Sequence, residues 1–298
     1  MVLKTRDQSI KNLNLVLKFF VSLVFRIRVE KDPIIILASR RGGSTFISKE
    51  LSLTTGIAVL DHPFGKVNNL WFQRRKLYPE GKSQLFRING ISQFRCVNSI
   101  VNGSDLSSLR WRGLGSLWSV NQVVLKVTEA KWLLNYFSSQ TNHPILWYLR
   151  SPVDQVVSIM SFGWAPSLGV KDLEELSYWY DDRIIELARE TFESGDLIAI
   201  HALCWFLENE WLESQPGILR VSHEEIMEKP ELLNQIRNVY GQRGSETEIK
   251  KSEVSQFRNE EVVRIIRELF DRLGSRLYNK HLDYPLTKSN INDYYRSK

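Results

Sequence analysis

Cysteine is nearly absent from this chain: Cys96 and Cys204 are the two among 298 residues. Two are too few for a disulfide framework or a cysteine metal centre, and they suit a reducing, cytoplasmic setting. There is no apolar run of the ~20 residues that a membrane-spanning helix requires. The nearest approach, Leu13–Phe25, is interrupted by Asn14, Lys18 and Ser22, and no small-residue cleavage site follows to make it a signal peptide. Internal repeats and low-complexity tracts are lacking too. Net charge is scarce over most of the length. Of the formal +6, residues 1–31 hold +5, from Lys4, Arg6, Lys11, Lys18, Arg26, Arg28 and Lys31 against Asp7 and Glu30. A nearly neutral body argues against nucleic acid as a partner, since a binder of that kind stripes basic residues over its folded surface.

What remains is an ordinary globular composition, 43% hydrophobic and 25% charged. Residues 1–32 form a basic extension in which Asn14, Lys18 and Ser22 recur every four positions, a narrow polar stripe on an apolar helix. Such a helix packs on the body; the alternative is peripheral contact with an anionic membrane or a partner. From residue 33 the pattern alternates. Strand-like apolar runs occupy Ile34–Ala38, Ile57–Leu60, Val123–Val127, Ile145–Leu149 and Ile218–Val221. Helical periodicity fills Ser44–Leu53, Ala130–Ser138, Val153–Phe162, a long stretch Leu173–Glu213 broken near Gly195, and Glu260–Leu273. Short continuous apolar strands separated by helices predict an α/β, three-layer fold of the P-loop type, with a central parallel sheet flanked by helices. Residues 33–298 read as a single domain, with 61–122 as an aromatic and basic insertion over its active edge.

The run Ile34-Ile35-Ile36-Leu37-Ala38-Ser39-Arg40-Arg41-Gly42-Gly43-Ser44-Thr45 is a strand, a glycine turn and a helix start. Free N–H groups and the dipole at a helix start attract an anion. Gly42 and Gly43 let the backbone wrap a phosphate, and Ser44 and Thr45 add hydroxyl donors. The nucleotide-triphosphatase loop G-x-x-x-x-G-K-[ST] needs a lysine where Ser44 stands, so this is a cradle for another donor. A second strand, Ile145–Leu149, ends in Arg150-Ser151-Pro152, with Ser151 as cap and Pro152 in the first helical turn. Arg150 thereby reaches the same carboxyl edge, and Ser158 lies two turns along the helix. An arginine fork and a hydroxyl suit a second phosphate; the plainer alternative is an arginine paired with a surface carboxylate.

Together these elements resemble the sulfotransferases that use 3′-phosphoadenosine 5′-phosphosulfate (PAPS). Arg41-Gly42-Gly43-Ser44-Thr45 matches that family's loop for the 5′-phosphosulfate, with Gly42 in place of its usual serine. Arg150 and Ser158 match its arginine and serine for the 3′-phosphate. Leu219-Arg220-Val221-Ser222-His223-Glu224-Glu225-Ile226 is similar to its Arg-Tyr-Glu-Asp-Leu segment, with His223 in the tyrosine position, and Trp205 also suits the pattern. The resemblance covers about residues 33–285.

It implies transfer of a sulfuryl group from PAPS, the co-substrate, to a hydroxyl of a carbohydrate or small metabolite, releasing adenosine 3′,5′-bisphosphate and requiring no metal. Arg41, with Arg40 as second choice, would stabilise charge on the leaving phosphate. His62 is the candidate base, its pKa lying near neutrality, with Asp61 acting directly or orienting it. His143, His201, His223 and His281 read as structural. Trp71, Trp111, Trp118, Trp164 and Trp179 are candidates for stacking on an acceptor, though tryptophan mostly fills cores. Two other classes stay open: a P-loop nucleotide or metabolite kinase, which needs the missing lysine, and a non-catalytic module acting through residues 1–31.

Overall fold

The computed structural model describes residues 31–53, 56–61, 63, 97–98, 100–101, 120–128, 131–242, 260–279 and 284–285. The basic extension up to residue 30, most of the insertion, His62, His281, Trp71, Trp111 and Trp118 lie outside the described residues.

Five strands form one sheet, β1 (Ile34–Ala38), β2 (Ile57–Asp61), β3 (Gln122–Val127), β4 (Ile145–Leu149) and β5 (Ile218–Ser222), in the order β2-β3-β1-β4-β5. β2 runs parallel to β3 with Ile57 opposite Gln122, and β4 parallel to β5 with Leu149 opposite Ser222. Every residue of β1, β3 and β4 is buried. That is the physical reason the strands read as unbroken apolar runs: in a parallel sheet both faces are covered. The α/β fold with a central parallel sheet, expected from the sequence, is what the structure contains.

The described residues fall into two compact units, one comprising Ser48–His143 and the chain up to Ile36, the other Leu37–Ile47 and the chain from Pro144. In the first, Asp32 Oδ2 accepts from the backbone N–H and side-chain amide of Asn142, at 2.9 and 2.8 Å. At the end of β2, Asp61 forms an ion pair with Lys126 of β3, Nζ to Oδ1 2.7 Å, and Lys126 is 3% exposed. A buried ammonium is costly without an anion beside it. Asp61→Asn is therefore expected to lower stability by about 2 kcal/mol, less than a fully buried pair because Asp61 is partly exposed. Urea unfolding measures this; an unchanged midpoint would mean the pair is idle.

After β1 comes α1 (Ser44–Leu51), whose first turn, Ser44–Ile47, belongs to the second unit. The first unit adds the short α2 (Leu134–Ser138), and the second continues with α3 (Pro152–Ser161), α4 (Leu173–Leu176), α5 (Asp182–Ser194), α6 (Leu197–Asn209), α7 (His223–Glu228), α8 (Glu231–Val239) and α9 (Glu260–Leu273). The break expected near Gly195 is present. Gly195 takes a φ of 73° and Asp196 caps α6, its Oδ1 accepting from Ile198 N at 2.9 Å. A second break, between α4 and α5, was not expected. Asp181 caps α5 by accepting from Ile184 N at 2.9 Å, and Tyr180 turns inward to donate to the Leu207 carbonyl at 2.8 Å. The helix α6 is buried from Ile200 to Asn209, and α9 packs on it through Phe270, stacked on Trp205 with centroids 5.6 Å apart. Tyr278–Asn279 and Tyr284–Pro285 pair antiparallel as a separate two-stranded ribbon.

Candidate anion-binding site

Three turns at the carboxyl ends of strands carry the site, all in the second unit: Ser39–Gly43 after β1, Arg150–Ser151 after β4, and His223–Glu224 after β5. Ligands of such sheets bind at this edge.

The β1 turn closes with Gly42 N–H donating to the Ser39 carbonyl at 2.9 Å. Arg41 takes a left-handed φ of 59°, the one non-glycine residue to do so among the described residues, and Gly43 follows at 82°. A left-handed backbone costs an L-residue roughly 1–2 kcal/mol. Gly43 is held by more than its φ, because a Cβ there would lie 2.8 Å from the Tyr148 ring and 3.4 Å from His223 Nδ1. At Gly42 a Cβ would meet the Ser39 carbonyl oxygen at 2.8 Å. Neither glycine can become alanine without displacing backbone or a buried ring. Ser44 opens α1 and is buried, while Thr45 is exposed.

The arginines converge on this turn. Arg41 Nε donates to Ser158 Oγ on α3 at 2.9 Å, and its guanidinium lies 4.2 Å above the Phe162 ring and 5.8 Å from that of Trp164. Arg150 Nη1 donates to the Arg41 carbonyl at 3.2 Å. Both arginines reach neutral oxygens rather than carboxylates. Burial, and then the like charge of Arg150, lowers the Arg41 pKa. Two cations held together without a bonded carboxylate make a site that favours an anion. Phe162 and Trp164, 58% and 42% exposed, extend it with an apolar wall.

The backbone carrying Arg150 is pinned on both sides. Trp205 Nε1 donates to the Arg150 carbonyl at 3.1 Å, and the next amide, Ser151 N–H, donates to Glu224 Oε1 at 2.8 Å. Burial pushes the Glu224 carboxyl up to about 7, against the opposing Ser151 hydrogen bond, with Asp154 raising it further and Arg150 lowering it. Burial also brings His223 down to about 4, helped by Arg150, so its ring is neutral near pH 7. Its Nδ1 and the Tyr148 hydroxyl are hydrogen-bonded at 2.8 Å, and Phe46 of α1 meets the ring edge-on at 5.6 Å.

The structure thus brings together Arg41, Gly42, Gly43, Ser158 and Arg150, which the sequence had pointed to as one site. Arg40 makes none of these contacts; it lines a cavity of ≈ 10 Å³, room for one water, with Trp164, His201, Trp205 and Glu208. Trp179 packs on Trp211 with centroids 4.8 Å apart. Asp61 is tied to Lys126, as described above. The reading noted His223 and Glu224 in the segment after β5, with His223 as structural, and gave neither a place at this edge. Their signal was positional: β4 and β5 are neighbours in register, so the residues just past Leu149 and Ser222 share one edge.

Among the described residues no group of three or more His, Cys, Asp or Glu side chains is placed to hold a metal ion, and no helix is long and apolar enough to cross a membrane. No family model and no curated protein matches the chain. Among solved structures it is similar to a mouse sulfotransferase complexed with PAP, at 14% identity and a TM-score of 0.36, over 85% of this chain and 69% of that one. It is also similar to a sulfotransferase from Alicyclobacillus acidocaldarius, at 14% identity and a TM-score of 0.36, over 82% of this chain and 94% of that one. Both of these solved structures are sulfotransferases.

Proposed function

We propose that the chain is a PAPS-dependent sulfotransferase that moves a sulfuryl group to a hydroxyl of a carbohydrate or small metabolite. The observation that supports it best is the convergence of Arg41 and Arg150, from two different strand ends, on one glycine turn with neutral partners. A ligand with two separated anionic groups fits this donor set. Arg150 Nε, which is buried without a hydrogen-bond partner among the described residues, has capacity left for one of them.

In this reading the turn Arg41-Gly42-Gly43-Ser44-Thr45 would hold the 5′-phosphosulfate, and Arg150 with Ser158 the 3′-phosphate. PAPS supplies an activated sulfuryl group when bound. Arg41 places its charge at the turn, where negative charge grows as the bisphosphate departs, and is worth most because it is already in position. To reach a ligand it exchanges its Ser158 bond while Phe162 keeps the guanidinium plane oriented. Exposed Phe162 and Trp164 offer aromatic faces to the acceptor. His62, assisted by Asp61, remains the proposed base. Asp61, held in its ion pair with Lys126, is suited to an orienting role.

Adenosine 3′,5′-bisphosphate without Mg²⁺ is expected to raise the melting temperature by several degrees at 100-fold over its Kd, which corresponds to about 2.7 kcal/mol. ATP should do little. Stabilisation by ATP with Mg²⁺ and none by the bisphosphate would point to a kinase instead.

A further inference from the structure

Behind the arginines lies a cluster whose charges do not close. Arg150 Nε, Asp154 Oδ1 and Glu224 Oε2 are all buried and all lack a hydrogen-bond partner among the described residues. Asp154, on the first turn of α3, is 4% exposed. Glu224, at the start of α7, spends its other oxygen on the Ser151 N–H at 2.8 Å, one residue beyond Arg150. Arg150 and Asp154 both act electrostatically on the Glu224 carboxyl, in opposite directions. The remaining titratable neighbours are Tyr148 on β4, whose pKa burial and then Glu224 raise well above the usual value, and His223. Both are neutral near pH 7, so Arg150 and Asp154 are the charges that act on Glu224.

We propose that Glu224 is the positioning residue of Arg150, and that binding of an anion by Arg150 is coupled to proton uptake from the buffer onto Glu224. The proposal rests on Arg150 being an anion-binding residue, as in the function above. Its positioning half follows from the bond to Ser151 N–H, which together with Trp205 fixes both ends of the one peptide unit that joins Arg150 to Ser151. Its proton half follows from charge balance. In the free site Arg150 favours the carboxylate form of Glu224. An anion arriving on the arginine cancels that cation and adds negative charge, so the neutral carboxylic acid becomes the favoured form. The proton adds to a carboxylate oxygen, no bond to carbon changes, and the net charge of cluster plus anion falls by less than the anion brings.

The sign is fixed by this. A carboxyl already poised near 7 in the free site moves higher when the anion binds, so uptake is greatest just above neutrality. An upward shift of about one unit gives roughly half a proton at pH 7.5, and affinity falling about threefold per pH unit across that window.

The measurement is calorimetric titration of the full chain with adenosine 3′,5′-bisphosphate at pH 7.5, in two buffers of different ionisation enthalpy. Alongside it, inorganic sulfate, which does not titrate here, is bound at pH 7 and 8 at constant ionic strength. The expected wild-type result is roughly half a proton taken up, and sulfate binding about threefold weaker at pH 8. Glu224→Gln keeps an oxygen for Ser151 N–H but cannot titrate; it should still bind both anions, with the uptake gone and the sulfate pH dependence flat. Bisphosphate binding to wild type without uptake, or equal uptake in the Gln variant, overturns the proton coupling and leaves the proposed function standing. Sulfate binding with the expected pH dependence, but no preference for the bisphosphate, supports the coupling and removes the nucleotide reading. Binding of neither anion overturns both.

Discussion

Arg150→Ala is expected to weaken adenosine 3′,5′-bisphosphate binding about 100-fold, while adenosine 5′-phosphate loses less than about fivefold. The large figure corresponds to about 2.7 kcal/mol, the scale of charge-assisted hydrogen bonds to a phosphate in a partly buried site. The contrast between the two nucleotides matters more than either value. A guanidinium that merely held the turn would be missed equally by both, since its bond to the Arg41 carbonyl shapes the loop for either ligand. One that meets the 3′-phosphate is missed only by the nucleotide carrying that group. Calorimetric titration of wild type and variant with both nucleotides decides it, and equal losses would sink the 3′-phosphate assignment. Arg150→Lys tests geometry as well as charge, because an ammonium cannot present two parallel N–H groups.

Gly43→Ala is expected to cost about 3 kcal/mol of stability, against about 1 kcal/mol for Gly195→Ala. The two glycines share a left-handed backbone, with φ of 82° and 73°. They differ in what surrounds them. Nothing lies within 4 Å of a Cβ at Gly195, whereas at Gly43 it would sit 2.8 Å from the Tyr148 ring. That ring has no room to retreat, being fully buried and hydrogen-bonded to His223. The difference between the variants isolates the clash from the backbone strain. Chemical unfolding measures it, and equal midpoint shifts would mean the loop moves off Tyr148 at no cost. The same displacement would carry Arg41 with it, so bisphosphate binding should fall in Gly43→Ala and not in Gly195→Ala.

The sheet was legible because burial on both faces writes itself into a strand as an unbroken apolar run, as at Ile34–Ala38 and Ile145–Leu149. The break at Gly195 was legible because a glycine followed by an aspartate is a stop and a start written side by side. The break before Asp181 was hidden: Trp179 and Tyr180 continue the apolar periodicity, and only the tertiary contact of Tyr180 with α6 shows that the helix has already ended. At the site, Arg41, the two glycines, Arg150 and Ser158 stood out because each belongs to a short local pattern. His223 and Glu224 stood in a local pattern too, but nothing in it placed them at this edge. Their contacts run to Tyr148, Phe46 and Ser151, more than 70 residues away in sequence, and only strand order brings them together. Arg40 and Arg41 could not be separated by sequence, since one residue of turn geometry sends one side chain to Ser158 and its neighbour to a different cavity.

Arg41 stands in a backbone conformation that suits glycine, and the chain keeps an arginine there. Position 41 is consequently a place where durability and purpose rank the amino acids in opposite orders. Glycine heads the first ranking because it relaxes the turn, and arginine heads the second because its guanidinium is aimed from there. Selection of random variants for heat resistance alone would erode this position early, leaving a sturdier protein with a blunted anion site.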